Sequence, residues 1–544
     1  MAKIGEILIN GKLINKEQLD LCLQAQKLNN KERLGAILKH YNFVDDFKIA
    51  EMIAKEIGWA LYTDDFIPDY EVINQIGLDF FNKNQIYPVK NGNNTLFVVS
   101  YIDNVDITDY LRTELRINKE SKELFAIGIE KDVRNALDIL VLDESRKNVS
   151  DQISEIKGND EDKITTWLDN VINQAIITRS TDIHIEPTSK GSEVRYRIDG
   201  ILKFICCVDK DYIKGIANVI LNRCHANPGE YRIQDGSFSH KLKNTTRVID
   251  IRFSQVPSVF GPAIVLRLLD KVRASIALKS LGYSEHNWRL INQVLKKPHG
   301  IVLATGPTGC GKSTTLYGML NHIKTIEKKI LTIEDPVEMQ HSLMTQLQID
   351  NVQEVTFGKA IRAFLRHDPD IILVGEIRDQ ETAQEAVRAS ITGHQVFSTL
   401  HTNGPIEAIL RLKDLGVAPA NIASSLLAVV SQRLIRKLCK HCKKTLNVQK
   451  IKLEDNEAAY LVEDNQVIYT PVGCDRCNEG YWGRQVVAEV MILGEEIKDL
   501  IGKDHLGEIP RVLRERNHLT MKDNAADLIS AGITSLEEAV RILG

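Results

Sequence analysis

The chain has 544 residues, 43% of them hydrophobic, which is enough for about three or four domains that each bury a core. A net charge of −4 and a sequence pI near 6.4 give no global basic footprint, so direct nucleic-acid binding is not expected. No stretch approaches bilayer-spanning length, the opening Met-Ala-Lys-Ile-Gly-Glu lacks an apolar signal core, and only four of nine cysteines fall in Cys-x-x-Cys pairs; the expectation is a cytoplasmic, reducing location with peripheral membrane contact.

Residues 1–58 carry an internal repeat with an offset of thirty, which pairs Leu8 with Leu38, Leu19 with Ile49 and Leu23 with Ile53. Each copy reads as a turn followed by a helix with apolar residues three and four apart, so the segment is a small helical module. Residues 59–143 are mixed, with a strand at Thr95-Leu96-Phe97-Val98-Val99 and a closing helix near Val133 to Leu142, and read as a small α/β module. The polar, charge-rich stretch 144–163 is the clearest linker.

From 164 to 272, helical segments alternate with strands such as Glu193 to Arg197 and Val248 to Arg252, as in an α+β domain. From 273 to 544, strands alternate with helices in the manner of a parallel α/β sheet. Within it the apolar run Ile301-Val302-Leu303-Ala304 leads into Gly306-Pro307-Thr308-Gly309-Cys310-Gly311-Lys312-Ser313-Thr314, a phosphate-binding loop. Its glycines let backbone N–H groups turn around a β-phosphate, Lys312 reaches the β/γ-phosphates and Ser313 offers its hydroxyl to Mg²⁺. A nucleoside triphosphate with Mg²⁺ is the expected ligand.

Three further apolar runs end in polar residues, where an open parallel sheet places its ligand. Ile330 to Ile333 delivers Glu334, Ile371 to Val374 delivers Glu376, and Val396 to Leu400 delivers His401. A carboxylate near Mg²⁺, one that orients water and a histidine at the γ-phosphate make a hydrolytic set. Singly, each residue also reads as an ordinary turn or structural side chain.

Four stretches carry a resemblance: Gly306 to Tyr317, Thr332-Ile333-Glu334-Asp335-Pro336-Val337-Glu338, Asp368 to Asp379, and Thr392 to Asn403. They closely resemble the Walker A, Asp-box, Walker B and His-box motifs of the ATPases of type II secretion and type IV pilus assembly. The resemblance runs over roughly residues 164–544. It implies a RecA-like P-loop ATPase domain behind a PAS-like α+β domain. It also implies Glu334 as general base, Glu376 as metal-side carboxylate, and His394 with His401 as a histidine pair; the division of roles between Glu334 and Glu376 stays open. Arg197, Arg252 and Arg267 are the candidates for arginines with which the preceding domain neutralises phosphate as it closes over the nucleotide. Cys310 stands where the family usually has serine, with a thiol open to oxidation. Ser237 stands where arginine is common, and Val259-Phe260-Gly261-Pro262 replaces a more charged turn.

Cys439-Lys440-His441-Cys442 and Cys474-Asp475-Arg476-Cys477 are separated by 31 residues, 443–473, and can place four thiolates around Zn²⁺. The resembled assembly ATPases carry such a four-cysteine insertion, here at about 436–484; free thiols are the alternative. Lys437, Lys440, Lys443 and Lys444 form a solvated face or one that meets acidic partners or lipid headgroups. The resemblance further implies a homohexamer working with an inner-membrane platform protein and the cytoplasmic domain of a membrane-anchored partner, assembling pilin or pseudopilin fibres. The N-terminal repeat resembles modules that dock such partners and in some members bind cyclic di-GMP. Lys3, Asn42 and Glu56 depart from the binding pattern. A catalytically silent scaffold and a DNA-uptake motor are the alternatives.

Overall fold

Two periodicities, alternate burial along strands and one apolar stripe along helices, account for most of the architecture. The computed structural model describes residues 4–28, 32–64, 66–92, 94–100, 111, 124–130, 132–134, 136, 137, 140, 161–227, 229, 232–242, 247–269, 278–350, 352, 354–448, 460–463, 466–474 and 476–544. They fall into two units, Met1–Asp270 and Lys271–Gly544.

The first unit begins with helices Ile4–Asn10, Lys16–Leu28, Leu34–His40 and Asp46–Ile57. The thirty-residue repeat is reproduced bond for bond: Leu13 N donates to Leu8 O and Lys12 N to Ile9 O, as Phe43 N does to Leu38 O and Asn42 N to Lys39 O. Lys12 and Asn42 both take φ 57°, so the same left-handed turn is made without glycine. Leu8 and Leu38 are fully buried at equivalent positions. A mixed sheet follows, from β1 (Ala60–Tyr62), β2 (Ile86–Asn91), β3 (Asn94–Val99) and β4 (Phe125–Gly128), in the order β1-β4-β3-β2. Val133, Leu137 and Leu140 of the expected closing helix pack on its core with Phe81 and Phe97. Residues 141–160, most of the expected linker, lie outside the described residues. Its last three residues are already helical: Glu161 and Asp162 open the helix Glu161–Ile177, where acidic side chains suit the positive end of the dipole.

An antiparallel sheet completes this unit: β5 (Ser180–Pro187), β6 (Ser192–Ile198), β7 (Ile201–Val208), β8 (Gln234–Lys241), β9 (Val248–Ser258) and β10 (Gly261–Leu269), in the order β7-β6-β5-β10-β9-β8. Alternate residues such as Ile183, Ile185, Val194, Tyr196, Ile251 and Leu266 share a core with the helices Glu161–Ile177 and Ile213–Arg223. The residues between them therefore share the other face.

The second unit is built on a sheet ordered β13-β12-β14-β15-β11-β16-β19: β13 (Met344–Gln348), β12 (Ile330–Glu334), β14 (Ile371–Val374), β15 (Gln395–Leu400), β11 (Gly300–Thr305), β16 (Leu426–Leu438) and β19 (Tyr481–Ile492). Adjacent strands are parallel except β16 and β19. Every residue of β11 is buried, because Ile301 and Leu303 enter one core layer while Val302 and Ala304 enter the other. Covering both faces is what a continuous apolar strand requires. A small ribbon, β17 (Lys444–Asn447) with β18 (Val467–Thr470), stands beside the C-terminal helices Met521–Ser530 and Leu536–Leu543.

Candidate active site and metal centre

β11 ends at Thr305 and the chain turns through Gly306 to Gly311 into the helix Lys312–Ile323. Gly306 has φ 144°, and a Cβ there would lie 2.5 Å from the Gln432 carbonyl oxygen; Gly309 and Gly311 have φ 77° and 87°. A side chain at Gly306 is excluded by contact, and at the other two by backbone strain. Pro307, Thr308, Gly309 and Ser313 are exposed, which leaves the loop's mouth and the Ser313 hydroxyl open, with Thr314 beside them. Lys312 Nζ folds onto the loop, donating to the Gly306 and Pro307 carbonyls at 2.8 and 3.0 Å, and burial pushes its ammonium below the ordinary range. A buried cation at a helix N-terminus favours an anion in that mouth.

Cys310 is 4% exposed, and burial pushes its thiol up against the pull of Lys312 and Arg433. This corrects the expected oxidation sensitivity, because a protonated, enclosed thiol is a poor nucleophile. The structure also reveals a network that sequence reasoning missed. Gln432, fully buried on β16, donates through Nε2 to the Cys310 carbonyl at 2.8 Å. Its Oε1 lies 2.8 Å from the Tyr283 hydroxyl and 2.9 Å from Thr315 Oγ1, and those two hydroxyls are 2.9 Å apart. Two hydroxyl protons cannot serve all three contacts at once, so the triangle holds two hydrogen bonds at a time. Gln432 thereby ties the phosphate loop, its helix and the Tyr283 segment together from beneath.

Glu334, Glu376 and His401 emerge at or just beyond the carboxyl ends of β12, β14 and β15, the same sheet edge as the phosphate loop. Glu376 lies 2.6 Å from Arg378 Nη2 and 3.8 Å from His401 Nε2, and its charge acts on Lys312. Burial, then Lys312, lowers the His401 imidazolium below its ordinary range, so the ring is neutral near pH 7. Glu334 is 6% exposed and its hydrogen-bond partners, Thr332 Oγ1 at 2.7 Å, Gln346 Nε2 at 3.1 Å and the Tyr317 hydroxyl, are neutral. His394 does not join them. It precedes β15, with its carbonyl accepting from Gly300 N and its Nδ1 on the Ala389 carbonyl. Six strand residues place it roughly 20 Å from His401.

In the first unit Arg197, Arg267 and Arg252 lie in one cross-strand row. Asp182 of β5 is the register partner of Arg197 and of Arg267, and Arg252 is that of Arg267. Arg267 Nε is 3.0 Å from Asp182 Oδ1 and Arg197 Nε is 3.8 Å from Oδ2. Asp182 is thus shared by two of the three guanidiniums, with Arg252 next in the row. Ser237 is the register partner of Arg252, so the departure from the family pattern there leaves the row at three arginines. Val259 and Phe260 form an exposed apolar turn between β9 and β10.

The Sγ atoms of Cys439, Cys442, Cys474 and Cys477 all lie within 4.8 Å of one another, with separations such as 3.9, 3.7 and 3.6 Å. A tetrahedral shell with Zn–S bonds of about 2.3 Å has edges of roughly 3.8 Å, so the donor set fits zinc. Gly473 N donates to Cys442 Sγ and Cys474 N to Cys477 Sγ, as thiolate-supporting knuckles do. Lys443 does not belong to an open basic face: it donates to the Gly532 carbonyl and lies over the Tyr469 ring. Among the described residues no helix is long and apolar enough to cross a membrane.

Residues 157–541 match the family described as "Type II/IV secretion system protein". The type II secretion system protein E of Dickeya dadantii is 38% identical over 433 residues, spanning 79% of this chain and 84% of that protein. The type IV pilus assembly ATPase PilB of Acinetobacter baylyi is 32% identical, over 97% of this chain and 94% of its own length. Among solved structures, the ATPase DotB of Legionella pneumophila aligns with a TM-score of 0.52 at 20% identity, covering 69% of this chain and 95% of that one, a likeness of fold. With a phosphate loop, two carboxylates and a histidine on one edge of a RecA-like sheet, the chain belongs to the type II/IV secretion system protein family and is a P-loop ATP hydrolase.

Proposed function

We propose that this chain is the subunit of a cytoplasmic homohexameric motor, peripheral to the inner membrane, that hydrolyses ATP to assemble pilin or pseudopilin fibres for type II secretion or type IV pilus biogenesis. The observation that carries the reading is the convergence of Lys312, Glu334, Glu376 and His401 on one sheet edge. Relatives named for both machines align over most of this chain, and the PilB alignment extends through the N-terminal repeat.

In this reading the loop N–H groups and Lys312 hold the β- and γ-phosphates, and Ser313 with Glu376 holds Mg²⁺, which supplies charge neutralisation. Glu334 takes a proton from water, whose oxygen bonds to the γ-phosphorus as the bridging P–O bond breaks and ADP departs. Its neutral hydrogen-bond partners favour it over Glu376, which already faces Arg378, as the base. His401 meets the γ-phosphate, and Arg197, Arg252 and Arg267 add positive charge. ATP favours one arrangement of the motor and loss of the γ-phosphate releases it, so a membrane platform protein is moved at each turnover. Cys439, Cys442, Cys474 and Cys477 hold structural zinc; a closed four-sulfur shell leaves no position for substrate. The N-terminal repeat docks the cytoplasmic domain of a membrane-anchored partner, with cyclic di-GMP a candidate ligand.

Phosphate release by the purified protein tests the motor reading against a silent scaffold. Lys312→Ala should abolish turnover, and Glu334→Gln should bind ATP without hydrolysing it. Normal hydrolysis by the Lys312 variant would sink the proposal. A deletion strain scored for exoprotein secretion, surface pili and DNA uptake identifies the machine.

A further inference from the structure

Strand β13 sets Gln346 opposite Thr332 of β12 in parallel register. Register partners present their side chains to one face and residue i+2 returns to it, so Thr332, Glu334 and Gln346 meet on the same side of the sheet. Gln346 Nε2 lies 3.1 Å from Glu334 Oε1, 3.2 Å from the Tyr317 hydroxyl and 2.8 Å from the Met339 carbonyl. Its Oε1 accepts from His341 N at 2.7 Å. Two residues along, Gln348 Oε1 accepts from Val337 N at 3.1 Å. The glutamines of this edge strand therefore fasten the segment that follows β12, and Gln346 fastens the carboxylate as well.

Thr332 and Gln346 both grip Oε1 of Glu334, from two directions. Two donors on one oxygen, with the Tyr317 hydroxyl also bonded to the carboxylate, restrain the carboxylate plane. Both donors are neutral, so they orient the group without placing a cation against it, unlike Arg378 beside Glu376. We infer that Gln346 is a positioning residue for the hydrolytic carboxylate, acting through Glu334 and not on the nucleotide. This rests on the reading of Glu334 as the base.

The test uses the full-length protein with Gln346→Met, which is near-isosteric, and Gln346→Glu, which keeps the acceptor for His341 N. Steady-state hydrolysis is measured beside the Kd of a fluorescent ATP analogue. Both variants should lose about 10- to 100-fold in kcat while Kd stays within about 2-fold, as a misplaced reacting group implies. In the Glu334→Gln background, adding Gln346→Met should change the residual rate less than about 2-fold, because the two residues act as a unit. Loss of ATP binding in step with rate, or full multiplication of the two losses, overturns the inference. Normal kcat in both Gln346 variants beside an inactive Glu334→Gln overturns it alone. A Glu334→Gln protein that hydrolyses at the parental rate overturns the base assignment and the inference with it.

Discussion

Removing the Glu538 side chain should destabilise the second unit more than any single surface change. The carboxylate has no exposed side-chain area, and Arg436, its partner on β16, has 10%. Glu538 accepts from Arg436 N, Nε and Nη2 at 3.1, 3.0 and 2.8 Å, and from Arg541 Nε and Nη2 at 2.8 and 2.7 Å. Glu538→Ala leaves the Arg436 guanidinium buried without its counter-ion, a change of about 3–5 kcal/mol. The Tyr481 ring, 3.8 Å from that guanidinium, keeps part of the charge stabilised, so the lower half of the range is expected. At about 2–4 °C per kcal/mol for a unit of this size, the thermal midpoint should fall by roughly 10 °C at pH 7.

The pH dependence has a definite sign. Burial alone would push the Glu538 carboxyl up, but the hydrogen bonds from Arg541 and Arg436 outweigh it and hold it below its ordinary value of 4.5. A depressed carboxyl stabilises fully above its unfolded value, and the contribution is lost as pH falls through the folded one. The gap between parent and Glu538→Ala should therefore be constant around neutrality and narrow below about pH 4.5. Thermal unfolding followed by circular dichroism at pH 7 and in acid measures both effects. A midpoint within about 2 °C of the parent at neutral pH, or a gap that does not change in acid, would refute the reasoning.

Two other outcomes follow from the same strand, which carries Gln432 under the phosphate loop and leads directly to Cys439. Gln432→Met removes the donor to the Cys310 carbonyl and the acceptor for two hydroxyls, and buried groups left unpaired cost about 1–3 kcal/mol each. ATP affinity measured by titration should weaken at least about 10-fold, and an unchanged Kd would remove Gln432 from the loop's support. Metal analysis should find one zinc per chain, lost in Cys442→Ser. Structural zinc can contribute on the order of 10 kcal/mol, so chelation should lower the melting midpoint by more than about 5 °C. A metal-free protein with the parental midpoint would argue for free thiols.

The placement of the candidate site residues was legible in the sequence because it rests on local signals: glycines where the backbone turns tightly, and polar residues at the ends of apolar runs. Gly306 to Lys312, Glu334, Glu376 and His401 each end or follow their own strand, so fixing the strands placed them on one edge. His394 shows the limit of reading a motif as a unit, because six residues of strand carry it to the opposite edge. Alternation could place Arg197, Arg252 and Arg267 on one face, but only register set Arg197 and Arg267 on either side of Asp182 with Arg252 next in the row.

By itself the sequence determined that this chain holds a phosphate loop in a parallel α/β sheet, a candidate hydrolytic set behind it, a repeated helical module before it and four cysteines able to gather on one metal. Local backbone preference and two-residue alternation are enough for that. Tertiary structure alone decided which buried polar side chains hold these elements in place. Gln346 reaches Glu334 across a strand pair, and Gln432 reaches Cys310 across 122 positions of chain. Glu538 reaches Arg436 across 102. A glutamine or glutamate has no local signature for such work; its role is set by which elements the hydrophobic layers bring against it.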